Sequence, residues 1–450
     1  MSFFREKPFT FFIFAFAAIG GLLYGYDLGV ISGTLLFIDK EISLTATQTS
    51  LIVSAVLGGG SIATLISGPL ADWVGRKKMI FFASVILILG TVILAAAYNF
   101  STLLTGRLIQ GISVGIITIV VPLYLTETSP KNMRGRGVTT FQLVLTLGIL
   151  FAYLVNIWFA KDENWRGMFL CVLFPASLFF IGSIFIPESP IWLFGKGKHK
   201  KAQKMLLKLR KKKEAEIEYE ELLSIQKTTE PSIEKIKWQK HYKIPLIIAL
   251  GVGILNQLTG INVILQYITI ILKDAGLTLN WMSLLGSAGI GLINFITTIF
   301  AFSLIDRLGR RKLLLIGSAG IVLFLSISGF ISIFLIPSYI KGSILLFLML
   351  GFICSFAIGP GVVVWLAISE ILPNAIRSKG MGIALFLNSL SSTIYASVFL
   401  NMVKYLGYSS VFFMSAVFTL AYFLLTYYLL PETKNKTLEE IETYFRDKYE

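Results

Sequence analysis

The sequence predicts an all-α membrane protein with twelve spanning helices, arranged as two related bundles of six. Of its 450 residues, 55% are hydrophobic and 14% are charged, whereas soluble domains average roughly 45–50% apolar and about 25% charged residues. The apolar residues gather into twelve segments, each long enough for the roughly 20 residues that cross a bilayer core. Charged motifs of the first half recur in the second half, which indicates that one bundle has been duplicated.

The apolar segments define the expected spans in chain order. They are residues 9–38, 49–71, 79–98, 102–126, 138–160, 166–187, 244–272, 281–305, 313–336, 342–369, 378–403 and 409–430. Many contain several glycines, which suits close helix packing in lipid. The two cysteines, Cys171 and Cys354, both fall inside spans, so we expect no disulfide framework.

The recurring motifs place matching charges at matching positions of the two halves. The pairs are Asp72 and Arg76 with Asp306 and Arg310, Glu127 and Arg134 with Glu370 and Arg377, and Glu188 with Glu432. Opposite charges on different helices at one depth can latch the helix ends and release when the halves rock. Orientation signals alone would not require acids at fixed spacing. Because duplicated membrane halves typically build a central site with two alternating exits, transport is the expected function.

The spans and loops divide the chain into four regions. Residues 1–187 and 244–431 form the two bundles, and residues 188–243 form a polar linker with 15 Lys and Arg against 8 Glu. Leucines among the linker charges, such as Leu206 and Leu209, predict short amphipathic helices. Residues 432–450 predict a terminal amphipathic helix with Ile441 and Phe445 on its apolar face.

The basic residues that give the chain its net charge of +15 are distributed in the positive-inside pattern. Basic residues concentrate in alternate loops and in the linker, whereas the other loops are short and carry mixed charge. This asymmetry predicts a protein of the cell (inner) membrane with both termini and the linker in the cytoplasm. It also accounts for the charge without a nucleic-acid partner.

Asp27 interrupts a segment that carries no other charge between Lys7 and Ile38. A charge in a span costs at least about 2.5–3.5 kcal/mol near the bilayer centre, so it implies a partner or a protonation role. At 1.5 Å per residue, Asp27 lies about 27 Å along the first span, in its outer half. Arg107 lies roughly 7–8 Å into the fourth span from the outside. The pair can act as a proton switch, or as a permanent ion pair that holds two helices together.

Uncharged polar side chains predict the lining of a central site. Amides inside spans are Gln142, Asn256, Gln257, Asn262, Gln266, Asn294 and Asn388. Amides offer donors and acceptors that match the hydroxyls of a neutral sugar, and Trp365, Tyr24 and Tyr267 offer flat apolar surface. The Gly-Pro-Gly run at 359–361 predicts a broken or bendable helix beside Trp365.

Taken together, the motifs resemble those of the sugar porters of the major facilitator superfamily over essentially the whole chain. The carriers are GGLLYGYDLGVISG (20–33), GPLADWVGRKK (68–78), GR (106–107), ETSPKNMRGRG (127–137), PESPIWL (187–193), NQLTGIN (256–262), DRLGRRK (306–312), SEILPNAIRSKG (369–380) and PETKNKTLEEIE (431–442). The chain is most similar to the bacterial proton–sugar symporters of the xylose and glucose type.

The resemblance implies roles for particular residues. Sugar-contacting positions are Gln142, Gln257, Asn262, Asn294, Gly361, Trp365 and Asn388, with Tyr24 on the lining and Tyr267 at an outer gate. Asp27 and Arg107 fall on the proton-coupling pair of the symporters, and facilitative relatives usually carry Asn in place of Asp27. Asn256 replaces the first Gln of a usual pair and Gln266 replaces a usual Tyr, so the preferred sugar does not carry over.

We therefore expect a proton-coupled monosaccharide symporter that works by rocking alternating access. A facilitative uniporter with a structural Asp27–Arg107 pair and a sugar sensor remain as alternatives. No nucleophile–base set, metal cluster or phosphate loop occurs in or beside the spans, so an enzyme, a cofactor and a metal ion are not expected. The expected partners are the sugar, protons and lipid, and the chain is expected to act as a monomer.

Overall fold

Helices dominate the structure. The computed structural model describes residues 8–130, 134–228, 240–373 and 375–449, with side chains throughout except at 8–11, 134–136, 138, 225–228, 240 and 306. These ranges contain no strand. The helices are α1 (Pro8–Glu41), α2 (Ala46–Val74), α3 (Arg76–Ala95), α4 (Phe100–Thr128), α5 (Arg134–Ala160), α6 (Trp165–Leu170), α7 (Leu173–Phe185), α8 (Pro190–Gly195), α9 (His199–Leu209), α10 (Lys212–Thr228), α11 (Lys240–Leu258), α12 (Ile261–Asp274), α13 (Asn280–Leu308), α14 (Arg310–Phe334), α15 (Tyr339–Ile358), α16 (Pro360–Ile371), α17 (Arg377–Leu429) and α18 (Leu438–Tyr449).

Twelve spans account for the long helices, as the sequence predicts. Eleven continuous apolar stretches among the described residues are long enough to cross a membrane. The last of them, α17, has 53 residues and would extend about 80 Å, far more than the roughly 30 Å bilayer core. Gly407 breaks it with a φ of 76°, a conformation that glycine adopts freely. The residues before and after Gly407 therefore form two separate spans.

Three other spans are each built from two helices. α6 and α7 meet at Cys171 and Val172, α11 and α12 meet at Thr259 and Gly260, and α15 and α16 meet at Gly359. The break at Gly359 is the one that the Gly-Pro-Gly run predicts. The break at Gly260, which has a φ of 87°, was not predicted from the sequence. Both interruptions free backbone groups that an unbroken helix would pair, and they lie beside the central cavity.

The helices pack as two sets with a boundary between them. In the first set (α1–α7), α1 packs mainly on α5, and α4 packs on α2 and α3. In the second set (α11–α17), α17 packs on α11 and α14, and α15 packs on α14. Across the boundary, α2 contacts α17, α5 contacts α13, and α1 contacts α12. The space between these helix pairs holds the candidate site.

Short amphipathic helices cover one end of the bundle, which we call the basic end because Arg76, Lys77, Arg310, Arg311 and the lysines of α9 and α10 lie there. Leu206 and Leu209 of α9 are buried, as are Ile441 and Phe445 of α18. Leu207 and Ile217, on the same predicted helices, are exposed. The guanidinium of Arg210 donates to the carbonyl oxygens of Thr128 and Ser129, at 2.6 and 2.7 Å, and ties the linker to the end of α4.

Candidate functional site

A cavity of about 320 Å³ lies between the two sets of helices. This volume falls at the lower end of the range typical of small-molecule sites. Of the described residues that line it, none is charged, and its polar side chains carry amides, hydroxyls and the indole N–H of Trp365. Such a lining offers hydrogen bonds without a net charge, which suits a neutral polyhydroxylated ligand.

The structure brings all nine predicted substrate-binding residues to this cavity. They are Tyr24, Gln142, Asn256, Gln257, Asn262, Asn294, Gly361, Trp365 and Asn388. They come from α1, α5, α11, α12, α13, α16 and α17, so both sets contribute. Gln266, the remaining amide that the sequence places inside a span, is buried and does not line the cavity.

Three of these amides are held by one another. The side-chain nitrogen of Asn262 donates to Gln257 Oε1 at 3.0 Å, and that of Gln257 donates to Asn388 Oδ1 at 3.1 Å. Asn388 in turn donates to the carbonyl of Gly253 at 2.8 Å, and Asn262 also reaches Ser392 Oγ at 3.0 Å. This network joins α11 and α12, the two parts of the span that breaks at Gly260, to α17. It fixes the orientation of the amides before a ligand binds.

Asn256 differs from those three amides. It is buried on the cavity lining, and its Oδ1 has no hydrogen-bond partner among the described residues. A buried unsatisfied acceptor costs about 1–3 kcal/mol, so a ligand that donates to it gains that energy. Asn256 therefore contributes an unpaired acceptor to the lining.

Several hydroxyl groups on the lining were not predicted from the sequence. Thr146, Thr298 and Ser392 line the cavity, and each follows an amide of the site by four positions, at Gln142, Asn294 and Asn388. Residues four apart lie on the same face of a helix. A hydroxyl residue four positions after an amide of the site is the sequence pattern from which these residues could have been predicted.

Asp27 and Arg107 form a buried ion pair between α1 and α4. Arg107 Nη1 lies 2.8 Å from Asp27 Oδ1, and the two residues are 0% and 3% exposed respectively. The depths that the sequence assigns to the two residues agree with this contact. Arg107 Nη1 also donates to Gln110 Oε1 at 3.1 Å, whereas Asp27 Oδ2 has no partner in the described part of the chain. The carboxylate is thus held on one oxygen, which leaves the other available to a proton.

At the basic end, the charges of the first set form one cluster. Arg76 donates two hydrogen bonds to Glu127, from Nε to Oε2 at 2.9 Å and from Nη2 to Oε1 at 2.8 Å. Its Nη2 also lies 2.8 Å from Asp72 Oδ1. Glu188 Oε1 accepts the backbone N–H groups of Arg76 and Lys77 at 2.9 and 3.1 Å. Glu188 thereby caps the N-terminus of α3, where the helix dipole favours an anion.

The second set repeats this arrangement. Arg310 Nη2 lies 3.2 Å from Glu370 Oε1, and the carboxylate of Glu432 accepts the N–H groups of Arg310 and Arg311 at the start of α14. Gly75 and Gly309 occupy equivalent corners with φ values of 107° and 86°, and a Cβ at either would collide with the capping glutamate.

Each of the ion pairs just described joins helices of one set. Arg377 donates to the carbonyl of Leu372 at 2.9 and 3.1 Å, within the second set. The side chains of Arg134 and Asp306 lie outside the described residues. A latch between the two sets stays a prediction.

Hydrogen bonds between the sets lie midway along α2, where Ser61 contacts the hydroxyls of Ser389 and Thr393, and towards the end opposite the basic one. Tyr153 Oη donates to the carbonyl of Leu265 at 2.7 Å, and Thr47 Oγ1 donates to Asn401 Oδ1 at 3.1 Å. The hydroxyls of Ser32 and Thr269 also bond to each other. Tyr267, the predicted outer-gate residue, is fully buried near these contacts, where its ring stacks on Phe399 with centroids 4.7 Å apart.

Comparisons with known proteins agree with this architecture. The chain is 36% identical over 442 residues to the glucose transporter GlcP of Staphylococcus epidermidis, covering 98% of each protein. It is 33% identical to the galactose-proton symporter of Escherichia coli, covering 97% of this chain and 94% of that protein. The inward-open structure of the xylose transporter XylE from E. coli superposes with a TM-score of 0.83 at 26% identity, covering 98% of this chain and 100% of that one. Residues 13–445 match the family described as Sugar (and other) transporter. The chain therefore belongs to this family, the sugar porters of the major facilitator superfamily, as its motifs predict.

Proposed function

We propose that this protein is a proton-coupled monosaccharide symporter. The observation that carries the proposal is a cavity with an uncharged amide lining between two helix sets, beside a helix that also bears a buried carboxylate. Tyr24 and Leu28 line the cavity on α1, and Asp27 lies between them in the sequence. A change at Asp27 that moves α1 therefore changes the wall of the cavity. The galactose-proton symporter, at 33% identity, supports the same function.

Sugar binding in this proposal relies on the fixed amides. Gln257, Asn262 and Asn388 present donors and acceptors already oriented by their own network, so little side-chain entropy is lost when a ligand binds. Asn256 Oδ1 accepts a hydrogen bond from a sugar hydroxyl, and the Trp365 ring packs against the apolar face of the sugar.

Proton coupling relies on the charge of Asp27. A proton on the free oxygen neutralises the carboxylate and removes most of its attraction for Arg107. α1 then separates from α4 at lower cost, and the cavity becomes accessible from outside the cell. After inward opening and sugar release, loss of the proton restores the ion pair and resets the carrier.

Orientation and state follow from the charge asymmetry and from the contacts between the sets. We assign the basic end, both termini and the linker to the cytoplasm of a cell-membrane protein, following the positive-inside rule. The contacts of Tyr153, Thr47 and Ser32 then close the outer end, so the cavity faces inward, in line with the likeness to inward-open XylE.

The moving units in this proposal are residues 1–187 and 244–431, with 188–243 as linker and 432–450 as tail, and one chain suffices for transport. The clusters around Arg76 and Arg310 keep each set rigid and meet as a latch when the basic end closes.

Uptake into proteoliposomes tests the proposal. Purified protein is reconstituted and supplied with labelled glucose, galactose, xylose and arabinose, with and without an inward proton gradient. For one proton per sugar, each pH unit of gradient supports at most about tenfold accumulation. We expect Asp27→Asn to abolish uphill accumulation but to spare counterflow exchange. Asp39→Asn is the matched control, because Asp39 is exposed on the same helix and Asn keeps an oxygen for the N–H of Leu44. Uphill accumulation by Asp27→Asn at the level of the control would refute the coupling role.

A facilitative uniporter is the second candidate. It is favoured by the closed, fully buried geometry of the Asp27–Arg107 pair, which is also what a permanent structural contact would show. A recording of the external pH during sugar uptake separates the two candidates, since a uniporter carries sugar without alkalinising the external medium. Sugar entry with no proton movement at any pH would establish the uniporter.

A further inference from the structure

Gln110 is a buried amide that the proposed mechanism does not yet use. It lies on α4 one turn after Arg107, on the side that faces α3, and is 2% exposed. Its Oε1 accepts a hydrogen bond from Arg107 Nη1 at 3.1 Å, and its Nε2 donates to Thr91 Oγ1 at 3.0 Å. Gly90 leaves room for it, because a Cβ at that position would lie 3.0 Å from Gln110 Cγ.

The orientation of this amide is fixed by a directional chain of hydrogen bonds. The Thr91 hydroxyl donates to the carbonyl of Leu87 at 2.9 Å, so its oxygen is left to accept from Gln110. Gln110 must therefore point its nitrogen at Thr91 and its oxygen at Arg107. A flipped amide would set an NH₂ group against the guanidinium, donor against donor.

Arg107 has few other partners. Its Nη1 bonds to Asp27 and to Gln110, whereas Nε and Nη2 have no hydrogen-bond partner among the described residues. The Phe169 ring lies 5.8 Å from the guanidinium carbon and offers a weaker, electrostatic contact. When Asp27 takes up a proton, its Oδ1 becomes an uncharged, weaker acceptor, and Gln110 is the other acceptor that holds the cation.

We propose that Gln110 is a positioning residue that keeps the Arg107 guanidinium attached to α3 and α4 throughout the proton cycle. Protonation then releases α1 from a fixed cation, and the same cation is in place to recapture Asp27. This inference rests on the proposed symport, and it assigns a role to a residue outside the ion pair and outside the cavity.

The charged and titratable groups that face the Arg107–Gln110 contact determine the direction in which the pH dependence of uptake shifts when Gln110 is lost. Asp27 is the charged group opposite Arg107, and Tyr24, also on α1, interacts with Asp27. α3 contributes Thr91 and α6 contributes Phe169, neither of which titrates. Loss of Gln110 removes one hydrogen bond in both protonation states. The loss is larger when Asp27 is neutral, because Arg107 then keeps only the weaker, uncharged carbonyl oxygen of the carboxyl group as a second acceptor. Protonation becomes less favourable, and a higher proton concentration is needed to drive uptake.

The test compares pH profiles of sugar uptake and of sugar-induced proton current in proteoliposomes. Gln110→Met keeps the side-chain length and removes both polar atoms. We expect its half-maximal rate to move about one pH unit to the acid side, a tenfold change in proton concentration, with counterflow exchange within twofold of the original protein. Thr91→Val, which frees the amide to turn, should shift the profile in the same direction by less.

Ser113→Ala is the matched control. Ser113 lies on α4 and bonds to the Ala83 carbonyl of α3 at 2.6 Å, so this variant loses a buried α3–α4 hydrogen bond away from Arg107. We expect its pH profile to be unchanged. A Gln110→Met profile at the original pH, or an equal shift in Ser113→Ala, overturns the inference. If sugar uptake by the unsubstituted protein does not depend on pH and moves no protons, the symport proposal is overturned instead.

Discussion

The contact between α1 and α5 gives a sharp test of the packing that supports the ion pair. Gly25 faces α5 so closely that a Cβ at this position would lie 1.8 Å from the carbonyl oxygen of Leu145. A carbon and an oxygen atom approach to about 3.3 Å at the closest, so Gly25→Ala must push the helices apart by about 1.5 Å. The atom that blocks the new methyl group is backbone, which cannot rotate away. We expect a loss of stability of at least about 3 kcal/mol, at the upper end of the cost of overpacking.

Two quantities are measured. The first is the apparent melting temperature in detergent, monitored by size-exclusion fluorescence after heating. The second is sugar uptake. We expect Gly25→Ala to melt roughly 5 °C or more below the original protein. It should also lose most uptake, because α1 carries Asp27. Gly289→Ala is the matched control, since Gly289 lies inside α13, where an added methyl group would have no atom within 4 Å and alanine favours a helix. Equal melting temperatures and uptake for the two variants would refute the role of this packing.

Two further substitutions test the basic end and the cavity. Arg76→Ala removes the side chain that donates two hydrogen bonds to the buried carboxylate of Glu127, so we expect a destabilisation of about 3–5 kcal/mol. The melting temperature measures it, and Arg76→Lys should give an intermediate value. An unchanged melting temperature would show that the pair is dispensable. Asn256→Leu removes the unpaired acceptor of Asn256, so sugar affinity should fall about tenfold, roughly 1.4 kcal/mol. Equilibrium binding measures it, and unchanged affinity would place the sugar elsewhere.

The sequence predicted depth well because depth follows from counting. A rise of 1.5 Å per residue is enough to bring Asp27 and Arg107 to one level, and the structure joins them. The break at Gly359 was predictable because the following proline cannot donate the helical hydrogen bond. The break at Gly260 was not, because glycine is common in membrane helices and its φ depends on the packing around it.

Direction around the helix axis was harder to predict than depth. The matched spacing of the acids and bases at the basic end does not say which partner each will meet. In the structure Arg76 turns to Glu127 and Arg377 turns to a carbonyl, both inside their own set. Gln110 was missed for a similar reason, since one amide on a helix resembles any other until a neighbouring helix supplies Thr91.

Among the described residues, the hydrogen bonds that close the end opposite the basic one join uncharged groups: Ser32 to Thr269, Thr47 to Asn401, and Tyr153 to the carbonyl of Leu265. Each contributes only about 0.5–1.5 kcal/mol net, since water replaces it on opening. Dissolved ions do not screen such contacts as they screen paired charges. The rate at which this end opens should therefore be insensitive to ionic strength.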